Sequence, residues 1–373
     1  MDLKYYVLWK KDSPLLKYHL EKYYILILIK LQEIKELWIL EEEISNLLKI
    51  DNRDFILNPD QSSLINLIYK ELVEKKPQFL WDISNYHNLL SEQINLFLSW
   101  DQDKLSMNQW KKILWTNIRL TNIDNNPYNI LECHPEHIQN WWVLWWWEKK
   151  DYEWLEVYER SFELLKKIDI WIYDELSQII KKIIPLWTSF SLHNSASYKE
   201  CIWHLYMWFT IDSWNPEINN LEAIIHESSH NKLNLIMQFE YILLNDYKEL
   251  YYSAIRPDAR PIYWVFLWYH AFAPTMYIIM KAYKNWFLWN DKSWFEKIIL
   301  YYLKIKFLQK VIKKYAKFTK IWEEVSLEID YVISKMDLLI KELKPSSAEL
   351  LRAKENQQRH FEEVNKKYPY LLF

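Results

Sequence analysis

The stretch NPEINNLEAIIHESSHNKLNLI, residues 215–236, decides how this chain is read. Asn215 offers a side-chain oxygen for an N-cap, Pro216 suits the first helical position, and Glu217 puts a negative charge in the first turn. Ala223, Ile224 and Ile225 form one apolar cluster, and Leu233, Leu235 and Ile236 form a second further along. Apolar residues over so much of the circumference predict a buried helix, running from Pro216 to about Asn245. Inside it lies His226-Glu227-Ser228-Ser229-His230, an HExxH motif. Histidines at i and i+4 share one helical face, with Cβ atoms about 6 Å apart, so both can bind one metal ion. Glu227 is rotated by about 100° from His226. It therefore reaches a ligand's partner or a metal-bound water more naturally than the metal itself. Two buried histidines and a glutamate need partners, and a metal ion supplies them.

A third protein ligand has to come from elsewhere. Glu249 follows His230 after eighteen intervening residues, a spacing used by glutamate-ligated zinc peptidases. His270 stands in a stretch without charge, where an ionisable group needs a reason to be buried. His270 is the preferred ligand of the two.

Working outward, Leu20, Tyr24, Ile27, Leu31 and Ile34 recur at spacings of three and four with Lys and Glu between them. Residues 15–50 and 61–125 read as amphipathic helices, and helical periodicity returns over 152–184, 263–286, 292–344 and 346–365. Between them, 184–190 and 202–211 are β-branched and aromatic, which predicts a short hairpin. The fold class is mainly α, with a small β element beside the motif helix. The run Asp124-Asn125-Asn126-Pro127 and the pair His134-Pro135 are turn sequences, and they make 122–147 the expected domain boundary. It separates an N-terminal helical region, 1–147, from a metal-binding domain, 148–373. Cys133, His134 and His137 cluster in that boundary, where a loop exposed to water is the expected setting.

The chain of 373 residues is 50% hydrophobic with a net charge of −3, so it can bury a large core and its global field does not attract nucleic acid. Pro261 to Met280 carries no Asp, Glu, Lys or Arg over a length that could span a bilayer. His270, Pro274 and Thr275 within it favour a buried helix over a membrane span. Two cysteines give no disulfide framework, and Met1-Asp2-Leu3-Lys4 does not open a signal peptide. A cytoplasmic location is expected, and nothing in the pattern fixes an oligomeric state.

One count stands apart: 0 glycines against 23 tryptophans. Average usage of about 7% predicts roughly 26 glycines in this length, and few folds dispense with every position that needs positive φ. We read most of these tryptophans as glycines encoded by UGA, a codon that some bacterial lineages translate as glycine. Asp212-Ser213-Trp214-Asn215-Pro216 and Leu288-Trp289-Asn290-Asp291 become ordinary turn sequences on that reading. The competing reading is a protein that is truly rich in tryptophan.

With glycine in those places, a longer pattern emerges: His226 to His230 with Lys232-Leu233, then Tyr251-Tyr252-Ser253-Ala254-Ile255-Arg256-Pro257-Asp258-Ala259-Arg260-Pro261, Trp264, Trp268 and Ala271-Phe272. It resembles the HExxH-type peptide β-hydroxylases, enzymes that depend on iron(II) and 2-oxoglutarate and act on ribosomally made peptides. Ser195-Ala196-Ser197 and Cys201-Ile202-Trp203 look like the lead-in of that family. Leu267 stands where many members have a histidine, and His270 is three residues further on. The resemblance implies iron(II) held by His226, His230 and His270, with Glu227 in the catalytic centre. It also implies 2-oxoglutarate held by Arg256 or Arg260, whose planar guanidinium matches a carboxylate, and a precursor peptide as substrate, aligned along the strand expected at 202–211. The same residues support a different enzyme, a zinc peptidase with His226, His230 and Glu249 as ligands and Glu227 as general base. A peptide-binding module without activity is the third reading.

Overall fold

The computed structural model describes residues 14–37, 39–73, 83–99, 110–114, 116–121, 151–186, 195–199, 201–208, 215–239, 241–285, 287–288 and 292–369. It is mainly helical, as the periodicity dictates. The N-terminal helices are α1 (Pro14–Glu36), α2 (Glu41–Leu48), α3 (Arg53–Ile56), α4 (Pro59–Leu72) and α5 (Ile83–Leu98). Strands β1 (Trp110–Lys112) and β2 (Arg119–Thr121) come next, then α6 (Asp151–Ile168), α7 (Ile170–Ile179), β3 (Lys182–Leu186) and β4 (His204–Trp208). The motif helix is α8 (Pro216–Met237). After it come β5 (Leu250–Tyr251), β6 (Arg260–Pro261), α9 (Ile262–Lys284), α10 (Lys292–Tyr315), α11 (Lys320–Leu343) and α12 (Ser347–Lys367).

The uncharged stretch is α9, and it is the hub of the C-terminal half, packed against α8, α10 and α11. Val265, Phe266, Ala273, Ile278, Ile279 and Met280 are fully buried along it. Pro274 lies inside this helix. Its missing N–H would have bonded the carbonyl of His270, so the helix is locally weakened beside that histidine. Among the described residues no helix is long and apolar enough to cross a membrane.

Several expectations need correction. Strands β3 and β4 do not form a hairpin: they pair in parallel, from Lys182 opposite His204 to Leu186 opposite Trp208. Parallel pairing needs a crossover of a dozen or more residues, and 187–203 supplies that length. The sheet order is β1-β2-β3-β4, with β1 antiparallel to β2 and β2 parallel to β3. The segment 61–125, expected as helix, also contributes β1 and β2. Residues on both sides of position 147 thus share one sheet, and one core of buried side chains runs from Tyr23 to Val364. The Tyr23 ring of α1 meets the Trp203 ring edge-on at 6.1 Å.

Helix α8 stops at Met237 rather than near Asn245 because the following segment pairs with the break between α10 and α11. Leu244 N–H donates to the Lys317 carbonyl at 2.8 Å, and Lys317 N–H donates to Asn245 Oδ1 at 2.7 Å. Asn215 sits at the N-cap position of α8, but its side chain makes no capping bond. Helix α7 has a true cap: Asp169 Oδ1 accepts from the N–H groups of Trp171 and Ile172 at 3.0 and 3.2 Å. The other oxygen of Asp169 pairs with Lys281 Nζ of α9 at 2.7 Å. Asp169→Ala should therefore destabilise the fold by about 1–2 kcal/mol through the lost cap alone. Urea unfolding at neutral pH measures this, and an unchanged midpoint would contradict it.

Candidate metal centre

The buried surface of α8 includes Ile218, Leu221, Ile224, Ile225, Leu233 and Leu235. That surface fixes the helix against α9 and the sheet and leaves the histidine stripe half-buried. His226 and His230 converge, with their Nε2 atoms 3.2 Å apart and their rings nearly perpendicular at 86°. This separation suits a hydrogen bond between two imidazoles. It also matches two ligands on one metal ion. With metal–nitrogen bonds of about 2.0–2.1 Å, ligands at right angles lie about 3.0 Å apart and tetrahedral ligands about 3.4 Å apart. Burial pushes the His230 imidazole down to about 4 from its ordinary 6.5, so it is neutral near neutral pH and keeps a lone pair for a metal. The two serines between the histidines make no demand on the site. Ser228 and Ser229 Oγ donate back to the carbonyls of Ile224 and Ile225 at 2.5 and 2.8 Å.

Glu227 faces the sheet. Ser195 Oγ donates to its Oε1 at 2.9 Å and Ser197 Oγ donates to its Oε2 at 3.0 Å. Between these serines, Ala196 exchanges both backbone hydrogen bonds with Tyr206 of β4, at 2.8 and 3.0 Å, in an antiparallel bridge. Side chains two residues apart on an extended chain point to the same side. The bridge therefore turns both hydroxyls toward the carboxylate. Burial raises Glu227 to about 7, against the pull of the two serine bonds. The bridge also takes the outer edge of β4 at Tyr206, so the expected edge pairing of a peptide with this strand is not available there. Sequence reasoning singled out the serines only as a lead-in and missed that they hold Glu227. Asn231 completes the anchoring: it donates to the His204 carbonyl at 2.6 Å and accepts from Trp203 N–H at 3.0 Å.

Among the described residues His270 does not form a three-donor group with the pair. It is buried on α9 and lines a cavity of about 40 Å³ with Ile225, Ser228, Ser229 and Lys232; burial, with the nearby charges of Lys232 and His230, pushes its imidazole well below the ordinary 6.5. Its Nδ1 has no hydrogen-bond partner among the described residues. The rotation of α9 is the cause: Trp268 and Phe272 face His226, at ring separations of 6.1 and 4.7 Å. His270, two residues from each, is turned by about 200°. Leu267 is buried in the core. Glu249 is exposed in the turn before β5 and accepts from Tyr251 Oη at 2.5 Å. Among the described residues no group of three or more His, Cys, Asp or Glu side chains converges as a metal site. Cys133, His134 and His137 lie outside the described residues. The donors in place thus fit two positions on a metal ion.

The same cavity borders a charge cluster that the sequence did not reveal. Lys232 Nζ sits between Glu175 Oε1 of α7 at 2.8 Å and Glu328 Oε1 of α11 at 2.5 Å; Lys232 and Glu175 are buried and Glu328 is nearly so. Burial pushes Glu328 up to about 7, opposed by the attraction of Lys232. Two carboxylates around one ammonium cannot both be ionised cheaply.

The arginines separate in role. Strands β5 and β6 pair antiparallel, Leu250 with Pro261 and Tyr251 with Arg260, and close a loop with Arg256 on it. Tyr252 anchors this loop from behind through a 2.8 Å hydrogen bond between its hydroxyl and His360 Nδ1 of α12. Arg260 Nε lies 2.7 Å from Asp258 Oδ2, an ion pair whose N–H is not aligned for a hydrogen bond. Arg256 has no carboxylate partner among the described residues. Its guanidinium lies over the Trp268 ring at 4.9 Å. Since Trp268 also meets His226, Arg256 stands on the metal side of the loop. No family model matches the chain, and no curated protein matches it either.

Proposed function

We propose that the protein is an iron(II)- and 2-oxoglutarate-dependent oxygenase that hydroxylates a β-carbon of a ribosomally made peptide in the cytoplasm. The observation that carries this reading is the 3.2 Å approach of two imidazole Nε2 atoms on a helix anchored by a serine-bound glutamate. His226 and His230 would hold the metal. The chemistry that iron(II) would supply when bound is insertion of one atom of dioxygen into a C–H bond, with the other atom going to 2-oxoglutarate, which would leave as succinate and carbon dioxide. Arg256 would pair with the far carboxylate of 2-oxoglutarate through its planar fork. Glu227 orients the motif helix against the sheet.

The zinc peptidase reading is less well supported. Both oxygens of Glu227 accept a serine hydroxyl, and Glu249 is exposed and bonded to Tyr251. The test is anaerobic loading with iron(II), then addition of oxygen, 2-oxoglutarate and a peptide encoded beside the gene. Succinate formation matched by one added oxygen in the peptide supports the proposal. Peptide cleavage that survives removal of 2-oxoglutarate would overturn it. Arg256→Ala should raise the 2-oxoglutarate KM by about 10-fold or more, the loss of one charge-assisted pair of about 1.5–3 kcal/mol. Arg260→Ala should leave that KM within about twofold of the parent, because its partner is Asp258.

A further inference from the structure

The segment that follows α8 exposes large apolar side chains in close succession. Tyr241 is 87% exposed, Leu244 65% and Tyr247 57%. Single exposures of this kind are ordinary, whereas three along one short stretch make a patch. The stretch is held in place. Leu243 and Phe318 form an antiparallel bridge, in which Leu244 N–H donates to the Lys317 carbonyl and Thr319 N–H donates to the Ile242 carbonyl at 3.4 Å. Asn245 Nδ2 clamps the far end by donating to the Tyr315 carbonyl at 2.8 Å. Because the residues on either side of Leu243 make the bridging bonds, its own N–H and C=O point to the opposite edge. Among the described residues nothing bonds them there.

The wall beside this patch is basic. From Lys297 to Lys320 the chain has eight lysines and no Asp or Glu, although its net charge is −3. Lys297, Lys306 and Lys313 pair with Glu222, Asp337 and Asp330. Lys317 and Lys320 are exposed, have no carboxylate partner among the described residues, and flank the residues that bridge to 242–244. The acids of the patch itself are engaged: Asp246 Oδ1 accepts from Lys248 N–H at 2.9 Å, and Glu249 accepts from Tyr251 Oη. We propose that this surface docks an acidic, extended segment of the peptide substrate, separate from the residue that is modified. Its main chain pairs with the open edge at Leu243, its apolar side chains cover Tyr241, Leu244 and Tyr247, and its carboxylates face Lys317 and Lys320. A backbone edge is complemented by another polypeptide, whereas a lipid or a nucleic acid has no such ladder to offer. The place also suits the site: the chain runs from Tyr247 straight into β5, and the loop between β5 and β6 carries Arg256. The identity of the partner rests on the peptide-modifying reading, and the surface stands without it.

The test is fluorescence anisotropy of the full chain with three labelled synthetic peptides that share one leucine pattern and carry Glu, Lys or Gln between the leucines. The Glu peptide should bind at least about tenfold more tightly than the Lys peptide, and the difference should shrink with added salt. Combining Tyr241→Ser, Leu244→Ser and Tyr247→Ser should weaken the Glu peptide by at least about tenfold. Lys317→Glu with Lys320→Glu should reverse the preference between the Glu and Lys peptides. These side chains are exposed, and thermal unfolding checks that both variants remain folded. Equal affinity for the three peptides, or unchanged binding in either variant, overturns the proposal. Vesicles containing phosphatidylglycerol and a short single-stranded RNA are run beside the peptides. If one of these binds through the same residues and the Glu peptide does not, the peptide is the wrong occupant. Docking of the Glu peptide in a chain that forms no succinate leaves the surface assigned and removes the oxygenase reading. Hydroxylation of the encoded peptide with the same KM in parent and both variants does the reverse.

Discussion

His230→Ala should leave the chain folded but weaken manganese(II) or iron(II) binding by more than about 100-fold. Removing a residue that only supports a metal ligand already costs 10–100-fold, and His230 is one of two imidazoles that meet at 3.2 Å. His226→Ala should have the same effect, and the double variant should be little worse than either, because one imidazole alone does not chelate. Calorimetry with manganese(II) under argon reads the affinity directly, and hydroxylation should fall to background in parallel. Fold is checked independently by thermal unfolding of the metal-stripped protein. Metal affinity that survives either substitution would remove the basis of the oxygenase reading.

The largest effect on stability should come from Lys232→Met. That change leaves Glu175 and Glu328 facing one another in a buried site, with no cation between them. Breaking a buried ion pair by removing one partner costs about 3–5 kcal/mol, far more than an exposed pair would. Methionine keeps most of the lysine stem's packing, so lost apolar contact does not account for the change. Adding Glu175→Gln and Glu328→Gln to the same chain should restore much of the loss, since the uncompensated charge is then gone. Urea unfolding of the single and triple variants distinguishes a charge effect from a packing effect. Equal destabilisation in both would mean that the lysine acts through shape.

The helices were legible because their signals are local. Pro216 and Glu217 mark the start of α8, and the periodicity over 263–286 matches α9 to within two residues at each end. The histidine pair was legible for the same reason, since i and i+4 define a face before any tertiary contact exists. The setting of His270 was not. Whether residue 268 or residue 270 meets His226 depends on how α9 rotates against α8, and that is settled by packing along Val265, Phe266 and Ile279. Glu175 and Glu328 lie far apart in sequence on helices α7 and α11, so their convergence on Lys232 gave no local signal. Strands β3 and β4 have the composition of a hairpin. Only the pairing of Lys182 with His204 shows that they run the same way. Strands β1 and β2 are three residues each, too short for a period-two pattern to emerge.

The bridge between Ala196 and Tyr206 ties an acid in the interior to the parity of a backbone alignment. Sliding the serine segment by a single position would bring Ser195 or Ser197 to the bridge and turn both serine side chains away from α8. A slip of two would keep the facing but put Asn194 or Tyr198 at the bridge and leave one serine beside Glu227. Length variation in the crossover between β3 and β4 is therefore tolerable only where this alignment survives, and a shift by one would strand a buried carboxyl group without donors.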